Sequence, residues 1–175
     1  VLYLIVFLTR YIDLFTSFVS VYNTVMKVFF IVATAATVYL MLFKFRGSYD
    51  RHNDTFRVEL LVLPAIVLSL VFNQGFNLFE ILWAFSIYLE SVAIFPQLFM
   101  LQKTGAAETI TAHYLFALGS YRALYILNWV YRYYTEDFFD AIATVAGIVQ
   151  TLLYADFFYV YITRVVQRRG AELPI

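Results

Sequence analysis

The sequence has no cysteine, only three prolines and six glycines in 175 residues, and few charges: 14% of positions are Asp, Glu, Lys or Arg. Without cysteine, disulfides and thiolate metal sites are excluded for this chain. Twelve basic residues balance twelve acidic ones, which gives no argument for nucleic acid or another polyanion as a partner. The two histidines, His52 and His113, form no pair with metal-ligand spacing. There is no nucleophile elbow, P-loop or dinucleotide fingerprint. These gaps leave no positive case for an enzyme, a cofactor or a metal.

What is present is apolar and aromatic. Hydrophobic residues make up 63% of the chain, with nineteen Phe, fifteen Tyr and two Trp. Soluble domains are nearer half apolar, and aromatic rings collect where a bilayer meets water. Val1 runs directly into "VLYLIVFLTRYIDLF", with no initiator Met, basic n-region or cleavage site. A signal peptide is not expected there; a fragment whose native N-terminus lies upstream is.

A bilayer core of about 30 Å takes roughly 20 apolar residues per helix. Six spans are predicted, at about 1–21, 25–43, 58–73, 77–101, 110–131 and 139–163, followed by a tail over 164–175. All of residues 1–175 then form a single transmembrane helical domain. One side of the membrane collects Lys44, Arg46, Arg51, Arg57, Lys103, Arg164, Arg168 and Arg169; the other has Lys27 and Arg132. Eight cations against two place the first side, and the C-terminus, in the cytosol. The sequon at Asn53 then falls in a cytosolic loop and is expected to stay unglycosylated.

A weak internal repeat is visible. Arg10 and Asp13 in the first span match the spacing of Arg122 and Tyr125 in the fifth. Parallel three-helix repeats joined by a linker helix are a known membrane plan, as in SWEET/PQ-loop-like transporters. The expected fold class is therefore an all-α membrane protein: six visible transmembrane helices of a seven-helix bundle, built from two three-helix repeats plus a linker helix. On this plan 58–73 is the linker and the first triplet lacks its first helix.

Charge inside a span costs about 2.5–3.5 kcal/mol on insertion scales, yet Arg10, Asp13, Glu90, Arg122 and Asp156 all lie well inside spans. Glu80, Arg132 and Asp140 sit near the non-cytosolic ends. On one helix, Arg122, Tyr125, Trp129 and Arg132 fall within an arc of about 80°. Structural pairing is one explanation: Arg10 with Asp13, and Arg122 with Glu90 or Asp156. The other is a wet cavity, open on the non-cytosolic side, where Arg10, Arg122 and Arg132 converge on an anion beside Tyr11, Tyr125 and Trp129. Arginine forks bind carboxylates bidentately. Glu80, Asp13 and Asp140 would hold a basic group of the same ligand, and a short acidic peptide with a free C-terminus fits. Pro96 should kink the fourth span, as a hinge or a static bend. Were the cavity to respond to pH, a buried carboxylate such as Glu90 or Asp156 would serve as sensor. A small-molecule transporter of the SWEET/PQ-loop-like plan is the alternative, and charges leaning toward one mouth disfavour it.

Several runs resemble the KDEL receptor family, the ER-lumen protein-retaining receptors: "TRYIDLFTSF" (9–18), "HNDTFRVE" (52–59), the long stretch from "LFEILWAF" to "LYILNW" (78–129) and "FFYVYITRV" (157–165). The resemblance spans nearly the whole chain. It implies a multi-pass receptor of the endoplasmic reticulum and Golgi. Such a receptor binds the C-terminal Lys/His-Asp-Glu-Leu signal of escaped lumenal proteins at acidic pH and returns them in coated vesicles. By the same resemblance Arg10 and Tyr11 meet the peptide C-terminus. Arg122 and Arg132 meet its acidic side chains and backbone, and Glu80 with Trp83 its basic first residue. Asp13, Tyr125, Asn128 and Trp129 match further binding positions, Glu90 with Tyr121 a proton-linked pair, and Asp156 a position tied to transport. The family's first helix, which carries a further peptide-contacting arginine and a pH-sensing histidine, has no counterpart here. The family's coat-binding tail is lysine-rich, where this chain has "QRRG" with Arg168 and Arg169.

Overall fold

The computed structural model describes residues 1–48, 55–104, 109–137, 139–161 and 163. Arg168 and Arg169, His52, Arg51, Asn53 and Arg164 lie outside the described residues, as does the side chain of His113. The described residues are almost all helical and contain no strand. The chain is all-α, as the apolar runs predict. It divides into two compact units, residues 1–52 with 57–93 and residues 53–56 with 94–175.

In the first unit, α1 (Leu2–Arg10) ends in a 3₁₀ turn (Tyr11–Phe15). The carbonyl of Asp13 stops the turn by accepting the N–H groups of Thr16 and Ser17, at 3.0 and 2.9 Å. Helix α2 (Val21–Tyr39) starts at Ser20, whose hydroxyl accepts the Asn23 N–H at 3.1 Å, an N-cap that satisfies one of the orphan donors of the first turn. It continues as a π-turn over Leu40–Lys44. Helices α3 (Glu59–Val71) and α4 (Leu78–Val92) complete the unit. The core forms where α1, α3 and α4 meet: Leu2 and Val6, one α-turn apart, bury against Ala65, Phe85, Leu89 and Ala93. The Tyr88 hydroxyl donates to the carbonyl of Phe72 at 3.0 Å, tying the end of α3 to α4.

Proline has its expected effect at Pro96. It cannot donate to the Val92 carbonyl, and its ring crowds that oxygen. The helix ends at Val92, Ala93 makes a tighter bond to the Glu90 carbonyl at 3.2 Å, and α5 (Phe95–Thr104) starts afresh with Pro96 in its first turn. The division between the units falls at this break.

In the second unit, α6 (Thr109–Glu136) and α7 (Ala141–Tyr161) pack together with α5. Asp137, the first residue after α6, lies in the left-handed region at φ 51°, a conformation Asp tolerates better than most residues. Asp140 then caps α7, its Oδ1 accepting the Ala143 N–H at 3.0 Å. Two glycines allow close approach. A Cβ on Gly119 would lie 3.1 Å from the Phe158 ring, and one on Gly147 would run into the Trp129 indole. Ile94, Leu98, Tyr154 and Phe157 form the core.

Three helical stretches among the described residues are long and apolar enough to cross a membrane: Val21–Lys44, Leu78–Met100 and Ala141–Tyr159. Helix α3 is apolar but shorter. Helix α6 has ample length at 28 residues. Its arginines, tyrosines and Asn128 dilute its apolar character.

Candidate functional site

Helix α1 carries Leu2, Val6 and Arg10 on one face, four residues apart. The stripe that buries two apolar side chains therefore carries a cation at its end. A cation also suits the C-terminus of a helix, where carbonyls collect. Facing it, α4 presents Ser86 and Glu90, again four apart. Arg10 Nη1 pairs with the Glu90 carboxylate, and Arg10 Nε donates to Ser86 Oγ at 3.1 Å. The Ser86 hydroxyl in turn donates to the Trp83 carbonyl at 2.6 Å. The Glu90 side chain is 6% exposed and that of Arg10 18%, so the ion pair sits nearly dry. Arg10 Nη2 is also buried, with no hydrogen-bond partner among the described residues.

This arrangement overturns the local pairing of Arg10 with Asp13. Asp13 lies in the 3₁₀ turn, and its Oδ2 accepts from Lys27 Nζ on α2 at 2.7 Å. Lys27 Nζ also sits 5.9 Å from the centre of the Tyr11 ring, and that ring stacks on Phe7 at 5.6 Å. One ammonium thus tethers the carboxylate and contacts the phenol of the same turn. Asp13 Oδ1 stays buried without a hydrogen-bond partner among the described residues. Glu80 and Trp83 are half-buried on α4. With Glu90 they fall within an arc of about 80°. Glu80 lies in the first helical turn, where the N-terminal end of the dipole favours an anion. The first unit therefore brings together Arg10, Glu90 and Ser86 at one point, and Tyr11, Asp13 and Lys27 at another.

In the second unit Arg122 is buried at 9% exposure on α6. Its Nε donates to Gln150 Oε1 on α7 at 2.6 Å, and its guanidinium lies 5.4 Å from the Tyr121 ring centre. Tyr121, Tyr125 and Trp129 form an edge-to-face ladder with centroid spacings of 5.5 and 6.0 Å, a favoured aromatic geometry. Arg132 is more open and donates to Glu136 at 2.7 Å across one turn; a pair this exposed is worth little. Asn128 and Asp156 are exposed, on α6 and α7. The Asp140 carboxylate, expected to meet a basic group, caps α7 with one oxygen. An apolar cavity of about 480 Å³ lies beside Trp129, Tyr133, Phe139 and Thr144. Its lining carries no charged side chain and shares Trp129 with the cationic stripe.

The sequence pattern alone assigns no site role to Ser86, Lys27 or Gln150. Ser86 had a signal, one helical turn before Glu90. Gln150 had a weaker one, as a polar residue inside "AGIVQTLL". The Lys27–Asp13 pair spans two helices, and local spacing carries no trace of it.

Residues 1–132 match the family model described as the ER lumen protein retaining receptor. That match contains Arg10, Glu80, Glu90, Arg122, Trp129 and Arg132. The chain is 69% identical over its full length to the ER lumen protein-retaining receptor erd-2.2 of Caenorhabditis elegans, covering 83% of that protein. It is 60% identical over 99% of its length to the ER lumen protein-retaining receptor of Drosophila melanogaster. It is 62% identical over the same share to ER lumen protein-retaining receptor 2 of Homo sapiens. In both cases it covers 82% of the relative.

Proposed function

The chain belongs to the ER lumen protein retaining receptor family, and from that premise we propose that it is a Golgi-to-ER retrieval receptor. It binds the C-terminal Lys/His-Asp-Glu-Leu signal of escaped lumenal proteins at acidic pH and returns them in coated vesicles. The family match over residues 1–132 is the observation that carries this reading. The relatives are named as receptors, and nothing in the site favours the small-molecule transporter.

The residue roles follow from the resemblance to the family. Arg10, whose buried Nη2 has no hydrogen-bond partner among the described residues, receives the peptide carboxylate beside Tyr11. Arg122 and Arg132 take the acidic side chains and backbone, with Tyr125, Asn128 and Trp129 shaping their surroundings. Glu80 and Trp83 take the basic first residue, and Asp13 adds an acceptor. Glu90 and Tyr121 serve the proton-linked step, and Asp156 serves transport rather than binding. The protein resides in the membranes of the endoplasmic reticulum and Golgi as two three-helix repeats plus a linker helix. Its C-terminus faces the cytosol, where Arg168 and Arg169 meet the vesicle coat.

The test is binding of a labelled peptide ending in His-Asp-Glu-Leu, at about pH 5.5 and about pH 7.2 to bracket a histidine-range switch. The same peptide with an amidated C-terminus is the control. The chain is tested as given and with a family first helix restored. With that helix restored, tight binding of the free acid at the lower pH, with the amide ignored, is the expected result. A folded, restored chain that binds neither peptide at either pH defeats the reading, and solute uptake into proteoliposomes becomes the next assay.

A further inference from the structure

Gln150 is 2% exposed, in the middle of α7. A buried amide must be hydrogen-bonded or its desolvation goes uncompensated. Gln150 Oε1 accepts from Arg122 Nε at 2.6 Å, a charge-assisted bond of the short, strong kind. A guanidinium is a rigid plane with five donors. Holding Nε from one edge therefore limits where both Nη groups point. The Tyr121 ring, 5.4 Å away, adds a second restraint on the same group.

The identity of the acceptor matters as much as its position. A glutamate here would make the same bond and add a negative charge beside the cation. Glutamine makes it without charge. Arg10 has the opposite arrangement, with a carboxylate as partner. We propose that Gln150 is a positioning residue of the peptide site: it orients Arg122 toward an acidic group of the peptide without offsetting the guanidinium charge. The proposal rests on the receptor reading and adds a determinant of selectivity for acidic over neutral side chains.

The test uses the full-length protein in nanodiscs and two labelled peptides, one ending in His-Asp-Glu-Leu and one in His-Asn-Gln-Leu. The ratio of their affinities is the readout. In Gln150→Glu, affinity for the acidic peptide should fall roughly ten- to hundredfold, the worth of a hydrogen bond to a charged group. The neutral peptide should change far less, so the ratio shrinks. Gln150→Met, which keeps the volume and removes the acceptor, should shrink it too, as should Arg122→Lys. A merely structural role would lower the unfolding temperature and leave the ratio intact. A folded Gln150→Glu protein with the wild-type ratio overturns the proposal. If that variant fails to fold, an unchanged ratio in Gln150→Met overturns it. A wild-type protein that binds neither peptide overturns the receptor reading and this proposal together. Wild-type binding with unaltered variant ratios overturns this proposal alone.

Discussion

Arg10 and Glu90 cannot be removed one at a time without leaving a charge in a nearly dry place. Breaking a buried pair by deleting one partner typically costs about 3–5 kcal/mol, whereas replacing both with apolar groups of similar volume is often neutral. Glu90→Leu should therefore lower the thermal unfolding midpoint sharply. Arg10→Met with Glu90→Leu should recover much of that loss and still bind no peptide, because the carboxylate-receiving cation is gone. Unfolding in detergent, read beside peptide titration, checks both halves. If the double variant binds as wild type does, Arg10 is structural only. The sequence marked both residues as costly charges within spans, and family resemblance assigned them roles. Their partnership was not legible, since α1 and α4 are far apart in the chain. The alternative pair, Arg10 with Asp13, was legible from spacing and is wrong, because Lys27 on α2 takes the Asp13 carboxylate.

Helices α6 and α7 are held close by what is missing from a side chain. The Trp129 indole occupies the space a Cβ of Gly147 would need. Gly147→Ala should force the ring aside, and overpacking of this kind costs about 1–3 kcal/mol. With Trp83→Phe as background, Trp129 is the one remaining tryptophan, and its emission should shift on adding Gly147→Ala. Unchanged emission and stability would show that the indole does not occupy the space a Cβ at residue 147 needs. At the start of α7, Asp140→Ala removes the N-cap and should cost about 1 kcal/mol, measurable as a lowered unfolding midpoint. Long apolar runs made the helices legible, and Pro96 flagged the interruption before α5. The 3₁₀ turn at Tyr11–Phe15 left no such mark: it depends on hydrogen bonds to the Asp13 carbonyl and on Lys27 from the next helix. The stripe of Arg122, Tyr125, Trp129 and Arg132 was legible because helical periodicity alone places it on one face. Gln150, its support from α7, was not.

For the molecule as a whole, the absence of cysteine turns the orientation proposal into a clean experiment. Any thiol introduced is the only one in the chain, so an impermeant maleimide applied to sealed microsomes reports the side on which it lies. Gly47, Phe76 and Thr135 suit this purpose. A Cβ at Gly47 meets nothing within 4 Å; Phe76 is 87% exposed; Thr135 is exposed in the last turn of α6. On the proposed orientation, Gly47 lies in the cytosol with the basic connection, and Phe76 and Thr135 lie in the lumen. Gly47→Cys should then label in intact vesicles, and Phe76→Cys and Thr135→Cys only after the membrane is opened. Labelling of Thr135→Cys in intact vesicles would put the end of α6, and Arg132 with it, on the cytosolic side. No lumenal peptide could reach that cation, and the role assigned to Arg132 would fall with the orientation. The expected pattern instead gives a lumenal signal access to Arg132 and leaves the C-terminal tail where a vesicle coat assembles.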